Sequence, residues 1–185
     1  MKLAPLGEDG LRLLLEREEA EMLDQLVAQL VHLLESHSGT ALDPDPLFAS
    51  LEVGGSETIP EDPALARLLP DAYESEADAS EFRRVTEQGL LNRKLQDALA
   101  VTAALGVGGD ASETVIVDIA PADLPNWART LTSLRLAMAA RIGLDDSEDH
   151  ARLLADERMR GTLLVFDWLA AILESVLAIM HSPDV

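Results

Sequence analysis

Arginines set within apolar stretches are the side chains of this sequence best suited to specific chemistry. Arg135 and Arg141 fall inside an otherwise apolar helical pattern, and Arg83 and Arg84 open a second long helix. A buried guanidinium must be paired, because an uncompensated buried charge is strongly destabilising. These arginines therefore either form internal ion pairs that join helices or line, together with Tyr73, a polar pocket or a groove for a partner.

The residues singled out for such a pocket or partner site are polar or aromatic side chains within these stretches. They are Arg67, Asp71, Tyr73, Arg83, Arg84, Glu87, Trp127, Arg135, Arg141 and Trp168. Packing in the core is the usual explanation for two tryptophans on apolar stripes. An exposed pair would instead indicate a hot spot for a partner.

Residue types that build metal or catalytic sites are present without the spacing that such sites need. The histidines, His32, His37, His150 and His181, show no zinc-helix spacing with a third ligand. There is no cysteine, which excludes disulfides, thiolate ligands and thiol nucleophiles. The sequence also lacks a nucleophile elbow, a phosphate loop and a dinucleotide fingerprint. We therefore expect no catalytic residue, no metal, no cofactor and no enzymatic activity.

The charge of the chain restricts its partners. Its 185 residues carry 34 acidic and 14 basic side chains, a formal net charge of −20. This charge opposes direct binding to nucleic acid and to an anionic membrane. The strongest membrane candidate, Thr162 to Met180, contains Asp167 and Glu174. A central acidic group costs about 2.5–3.5 kcal/mol on insertion, so we expect a buried C-terminal helix in a cytoplasmic protein.

Apolar residues at steps of three and four predict helices along most of the chain. The central helix is predicted over Asn126 to Leu144. Other helices are predicted over Gly10 to His37, Asp43 to Leu51, Asp62 to Leu69, Ser80 to Leu105, and Asp149 to Met180 with a joint near Gly161. On the Ser80 to Leu105 helix, the residues expected to face the core are Phe82, Val85, Leu90, Leu91, Leu95, Leu99 and Thr102.

A run of β-branched residues, Thr114 to Ile119, is the one convincing strand. It either pairs with a short segment near Leu51 to Val53 or lies extended. We therefore predict a mainly α fold, a single-domain helical bundle of about five to seven helices with at most one short strand pair. The domain covers 1–185, and any subdivision would fall near 106–120.

Four stretches of the sequence, taken together, resemble the sequence pattern of one known family. They are Asp62 to Tyr73, Glu81 to Glu87, Trp127 to Leu144 and Phe166 to Leu169. In this order and at these separations they resemble an actinobacterial family of unknown function that is often encoded beside the ClpS protease adaptor. The best-described branch of that family comprises the AosR-like oxidative-stress regulators. The resemblance covers most of the chain.

The resemblance implies a helical cytoplasmic protein with no recognised catalytic machinery. For the regulatory branch it implies redox-responsive control of transcription through an alternative sigma factor, with sensing by a cysteine pair. Because this chain has no cysteine, that sensing mechanism cannot apply here. Thr132 and Ser133 also stand where an Asn-Asp pair is expected before Arg135. The scaffold and a partner-binding role are what the resemblance transfers.

Our leading hypothesis is a non-enzymatic regulatory protein that binds another protein through a helical groove. The partner would be a sigma factor, a proteolysis component or a second copy of this chain in a homodimer. One alternative is direct DNA binding, with the central helix acting as a recognition helix, although the net charge opposes it. Another is a small-molecule sensor with an enclosed polar cavity near Tyr73, Arg84 and Arg135.

Overall fold

Helices make up most of the computed structural model, which describes residues 1–6, 10–37, 59–73, 75–107 and 113–181. The described part contains six helices and three strands, which confirms the mainly α fold. In chain order they are β1 (Lys2–Leu6), β2 (Gly10–Glu16), α1 (Arg17–His37), α2 (Pro63–Leu68), α3 (Glu76–Leu105), β3 (Thr114–Ile119), α4 (Leu124–Ile142), α5 (Ser147–Ala155) and α6 (Arg160–Met180).

The three strands form one antiparallel sheet in the order β1-β2-β3. Its inner face carries Leu11, Leu13 and Leu15 of β2, all buried in the main core. On the opposite face Arg12 and Asp118 form an ion pair across β2 and β3, with Nε and Oδ1 2.6 Å apart. The sheet therefore has one strand more than the single pair predicted. The strand partner of β3 is β2, while the segment near 51–53 lies outside the described residues.

The predicted first helix is wrong over its first seven residues, because Gly10–Glu16 is a strand. The buried leucines of this segment alternate with less buried residues, which is the period of a strand. Leucine favours helices, and β2 continues into α1 at Arg17 with no turn between them, so the sequence reads as one long helix. A Cβ at Gly10 would lie 3.0 Å from the carbonyl oxygens of Leu6 and Ile119, so glycine allows the strands to approach closely.

The central helix is confirmed as α4, which contacts α1, α2, α3 and α6. Trp127, Leu131 and Leu134 lie fully or almost fully buried on it. The helix ends at Gly143, whose φ of 65° is the left-handed conformation that glycine adopts most readily at a helix end. The predicted helix from Asp62 is also confirmed as α2, with the Asp62 carboxylate accepting hydrogen bonds from the first backbone amides.

The helix α3 begins before the predicted Ser80 and turns a different face to the core. Leu91 and Leu95 are buried as predicted, whereas Val85, Leu90 and Leu99 are exposed. The buried polar residues of α3 are Arg83, Glu87, Gln88, Asn92 and Asp97. Apolar spacing fails here because charged and amide groups occupy much of the buried face, and the charged ones pair with neighbouring segments.

The C-terminal region consists of α5 and α6, joined at residues 156–159 rather than near Gly161. A second, smaller group of buried side chains lies between these helices and the end of α4. This satellite core consists of Leu153, Leu163 and Phe166. The main core lies against the sheet and between the long helices. The helix predicted at 43–51 falls outside the described residues.

Candidate functional site

Four of the singled-out side chains meet at the start of α3. Arg83 is buried and donates a hydrogen bond to Asp71 in the segment that precedes the helix. One turn further along, Glu87 lies with its Oε1 3.1 Å from Nε2 of His37 at the end of α1. Tyr73 packs edge-on against Phe82, with ring centroids 5.6 Å apart. These contacts fasten the first half of α3 to two other segments.

Two neighbouring arginines at this point have opposite environments. Arg83 faces inward and is only 5% exposed, whereas Arg84 is exposed. Tyr73 is also largely exposed, at 54%. Tyr73 and Arg84 are therefore available to a partner in the part of the chain that the structure describes, while Arg83 and Glu87 are occupied in packing.

A second group of ion pairs joins α2 to the C-terminal end of α4. Arg67 pairs with Asp145, and Nη2 of Arg141 lies 3.2 Å from Oδ2 of Asp62. The Arg141 side chain is 56% exposed, so its pairing is a surface contact rather than a buried one. Such exposed pairs contribute about 0–1 kcal/mol each. They orient α2 more than they stabilise the fold.

The ion pair between α3 and α4 uses residues that sequence reasoning missed. Arg129 donates from Nε and Nη2 to the two oxygens of Asp97, at 2.6 and 2.8 Å. These hydrogen bonds raise the pKa of Arg129. Nearby, the Lys94 ammonium lies 3.3 Å from the Ser133 hydroxyl, and burial lowers the pKa of Lys94. No apolar pattern marks these residues, since their pairing depends on which helix lies beside α3.

Arg135 and Trp168 lie on the two helices that form the α4–α6 interface. The Arg135 guanidinium lies 4.3 Å from the centre of the Phe166 ring, a cation–π arrangement. Within the described part of the chain, Nε of Arg135 and Nε1 of Trp168 are buried without a hydrogen-bond acceptor. Trp127 is deeply buried, whereas Trp168 is only half-buried. The two tryptophans therefore have different surroundings.

The sensor hypothesis requires Tyr73, Arg84 and Arg135 to line one cavity, and the structure places them apart. The contacts Lys94–Ser133 and Asp97–Arg129 show that α3 and α4 run antiparallel. Arg84 lies ten residues before Lys94, about 15 Å along the helix, while Arg135 contacts α6. Their environments therefore give no support to a shared pocket.

The outer face of α6 carries apolar residues that the described residues leave exposed. We define it by the exposed residues Leu164, Ala171 and Ala178, which recur every seven residues, while Trp168 at its edge packs against the main core. Leu164 is 57% exposed, and both alanines are exposed. The Ser175 hydroxyl donates to the Ala171 carbonyl within the helix, so it does not require a partner. The face therefore presents apolar surface at the spacing of a helix-packing seam.

The composition of α6 also passes a simple test for a membrane span. Its most apolar window has a mean hydropathy of 2.1, and 33% of that window is buried. A core helix of a soluble protein can have the same length and composition. Leu169, Ile172 and Val176 pack in the main core, in agreement with the predicted packed C-terminal helix on that side.

No group of three or more His, Asp or Glu side chains suited to a metal ion occurs within residues 1–6, 10–37, 59–73, 75–107 and 113–181. The singled-out polar residues instead hold helices together: Asp71 with Arg83, Glu87 with His37, and Arg67 and Arg141 with carboxylates beside α2 and α4. The first two pairs are largely buried and the last two lie at the surface.

Fold and side-chain pairing thus define a mainly helical protein with a small antiparallel sheet and polar helix interfaces. The chain matches the family described as "Domain of unknown function (DUF2017)" over residues 3–180, and it belongs to that family. A relative, "Putative oxidative stress regulator AosR" from Mycobacterium leprae (strain TN), is 27% identical over 173 residues, which cover 88% of this chain and 79% of the relative. No solved structure matches the chain. The family resemblance seen in the sequence is confirmed.

Proposed function

We propose that this protein is a non-enzymatic, cytoplasmic regulator that acts by binding another protein, and that the outer face of α6 is the docking surface. The observation that carries this proposal is the uncovered apolar seam from Leu164 to Ala178. An exposed apolar face of this length is typical of a partner-binding site. The similarity to a named regulator supports the regulatory part of the proposal.

The charge around the seam determines what kind of partner fits it. Asp167 and Glu174 lie along one side of the outer face of α6, and the whole chain has a net charge of −20. Electrostatic complementarity therefore favours a partner that presents an apolar helix flanked by Lys or Arg. The same charge opposes pairing with a second acidic copy, so a homodimer is the weaker alternative. A sigma factor or a proteolysis component, the partners that the resemblance implies, would fit this proposal if either carries such a helix.

Direct DNA binding is less well supported. A recognition helix needs a free face that enters the major groove. The helix α4, which follows β3 as such a helix would, is in contact with four other helices. Its residues Trp127, Leu131 and Leu134 are buried rather than directed at a groove.

The decisive experiment is a crosslinking pull-down from an actinobacterial lysate, analysed by mass spectrometry with three baits. These are the wild type, the double variant Leu164→Glu/Ala171→Glu, and Val85→Glu as a matched control on the exposed side of α3. We expect a protein with a basic amphipathic helix to be recovered by the wild type and by Val85→Glu but lost from the double variant. Equal recovery by all three baits would show that α6 is not the docking surface.

The charge reversal Glu174→Lys sharpens the test, because it leaves the apolar seam intact. Binding to a basic helix should weaken, whereas self-association should strengthen. Light scattering of the purified wild type in solution then separates a homodimer from a heterologous complex. A wild-type dimer that the double variant converts to a monomer would assign the seam to a second copy.

A second candidate surface consists of the exposed Tyr73 and Arg84. The double variant Tyr73→Ala/Arg84→Ala belongs in the same pull-down. Loss of the partner from this variant, with the α6 variant unaffected, would move the docking surface to the start of α3. If both folding and recovery were unchanged, these two residues would have no part in binding.

A further inference from the structure

Methionine is the one sulfur-containing residue type in this sequence. The chain has five methionines and no cysteine, so no thiol can respond to an oxidant. Peroxides also oxidise thioethers, and methionine sulfoxide is reversible by dedicated reductases. The sulfoxide is polar, so its effect depends on where the methionine packs. One relative is named as an oxidative stress regulator, so the packing of each methionine is relevant to the proposed regulatory role.

Two of the methionines converge on the satellite core. Met138 of α4 and Met159, the residue before α6, are both half-buried and pack against Leu153, Leu163 and Phe166. Met138 also packs against the main core, so it connects the two groups of buried side chains. Each methionine is therefore partly exposed to solvent while it remains in apolar contact.

The satellite core is the main apolar anchor of α5. Leu153 is the one residue of α5 that is buried. The polar contacts of α5 lie near the surface: His150 Nε2 with Asp167 at 3.1 Å, the Arg160 Nε hydrogen bond to the Leu154 carbonyl at 3.0 Å, and hydrogen bonds of Asp149 and Arg152 with the backbone at 143–145. Surface pairs of this kind add little to stability. A change in the satellite core would therefore release α5 before it affected the rest of the fold.

We propose that Met138 and Met159 form an oxidation-responsive site whose sulfoxidation loosens α5 from α4 and α6. The sulfur lone pair attacks a peroxide oxygen, the O–O bond breaks, and an S–O bond forms. The thioether loses two electrons, and the peroxide is reduced to water or an alcohol. The departing oxygen takes the proton that was on the oxygen now bonded to sulfur. The new S=O group is polar and lies among apolar side chains. Its burial raises the free energy of the folded protein unless the oxygen reaches water.

The oxidation site would control the proposed regulatory function, so its biological purpose rests on that function. Met159 immediately precedes the helix that carries the docking seam and Phe166 lies in its second turn, so release of α5 would change the environment of that end of the seam. The oxidation itself involves no partner and can be measured on the purified chain.

The test treats the full-length protein with hydrogen peroxide and follows limited digestion by trypsin. Arg152 lies in α5 and Arg158 in the following turn, so cleavage there reports on the release of α5. We expect peptide mapping to find sulfoxide at Met138 and Met159, with cleavage at these arginines about tenfold faster than in the untreated protein. Treatment with methionine sulfoxide reductases should restore the slow cleavage.

Leucine variants provide the controls, because leucine has a similar volume and cannot be oxidised. Met138→Leu/Met159→Leu should fold and should show no acceleration after peroxide. Met180→Leu, at the exposed end of α6, should accelerate as the wild type does. The proposal is overturned if the double variant accelerates equally, if both sulfoxides form without faster cleavage, or if Met180 is oxidised while Met138 and Met159 are not.

Failure of this inference is distinguishable from failure of the docking proposal. An unchanged digestion pattern would remove the oxidation site while leaving the pull-down result intact. A normal oxidation response combined with recovery of the partner by the Leu164→Glu/Ala171→Glu bait would instead remove the docking surface.

Discussion

The helices α3 and α6 both pack on α4, but α3 buries polar side chains together with apolar ones, whereas α6 buries apolar side chains alone. On α3 the buried face contains Arg83, Glu87 and Asp97, while apolar residues such as Val85 are exposed. On α6 the buried face is entirely apolar. The difference follows from what surrounds each helix: α3 meets His37, Asp71 and Arg129, while the inner face of α6 meets the apolar side chains of the two cores.

The comparison shows that hydrophobicity alone does not decide which face of a helix is buried. A polar face can be buried when each charged group finds a partner, and paired groups then fix the position of the helix more specifically than apolar contact does. The buried apolar face of α6 has no such requirement, because apolar side chains need no specific partner.

The largest expected effect on stability distinguishes the buried side of α6 from its outer side. Leu169→Ala, at a fully buried position, should destabilise the protein by about 2–5 kcal/mol, because it leaves a cavity in the main core. Leu164→Ala, on the outer face, should change stability by no more than about 0.5 kcal/mol. Urea denaturation followed by circular dichroism measures both. Comparable losses for the two variants would mean that the outer face is covered in solution.

A smaller effect is expected from the polar side of α3. Asp97→Ala should destabilise by about 1–2 kcal/mol, since it removes two charge-assisted hydrogen bonds from Arg129. The loss is limited because the Arg129 side chain is 47% exposed and can be rehydrated. A double-mutant cycle with Arg129→Ala isolates the pair. Absence of a coupling energy would show that the Asp97–Arg129 pair does not stabilise the packing of α3 on α4.

The smallest effect should appear in the pH dependence of stability near Lys94. Burial lowers the pKa of Lys94 in the folded protein below its ordinary value of 10.5. Between these two pKa values the unfolded chain binds more protons, so the Lys94 contribution to the free energy of unfolding increases as pH rises. Lys94→Met should lack this increase and should be at least as stable at neutral pH. Denaturation of both proteins at a series of pH values from 7 to 10.5 measures this difference. An identical change in the free energy of unfolding for the two proteins would contradict the prediction.

Sequence patterns predict this fold best where burial is apolar. The bounds of α4 and the packing of Trp127 follow from the spacing of leucines, and the cap of α2 follows from Asp62 before a proline. The same reasoning fails for β2, because leucines that alternate in burial run straight into a helix. It fails for the buried face of α3, because an ion pair depends on a partner from a distant segment.

The candidate site was less predictable than the fold for the same physical reason. The pairs Asp71–Arg83 and Glu87–His37 contain residues that the sequence singles out, yet their partners come from other elements. Asp97 and Arg129 gave no local signal at all. The outer face of α6 was visible as an apolar stretch, but sequence alone did not show that α4 covers just one side of it.

The pairing of β2 with β3 has a consequence for the order in which the chain folds. Arg12 and Asp118 meet across these strands although 106 residues separate them along the chain. During synthesis, one edge of β2 stays unpaired until β3 has left the ribosome, by which time α1 and α3 have already emerged. Closing so long a loop is slow compared with helix formation. The sheet is therefore expected to form late, and a nascent chain that stops before Thr114 would present an open strand edge to chaperones and to other copies.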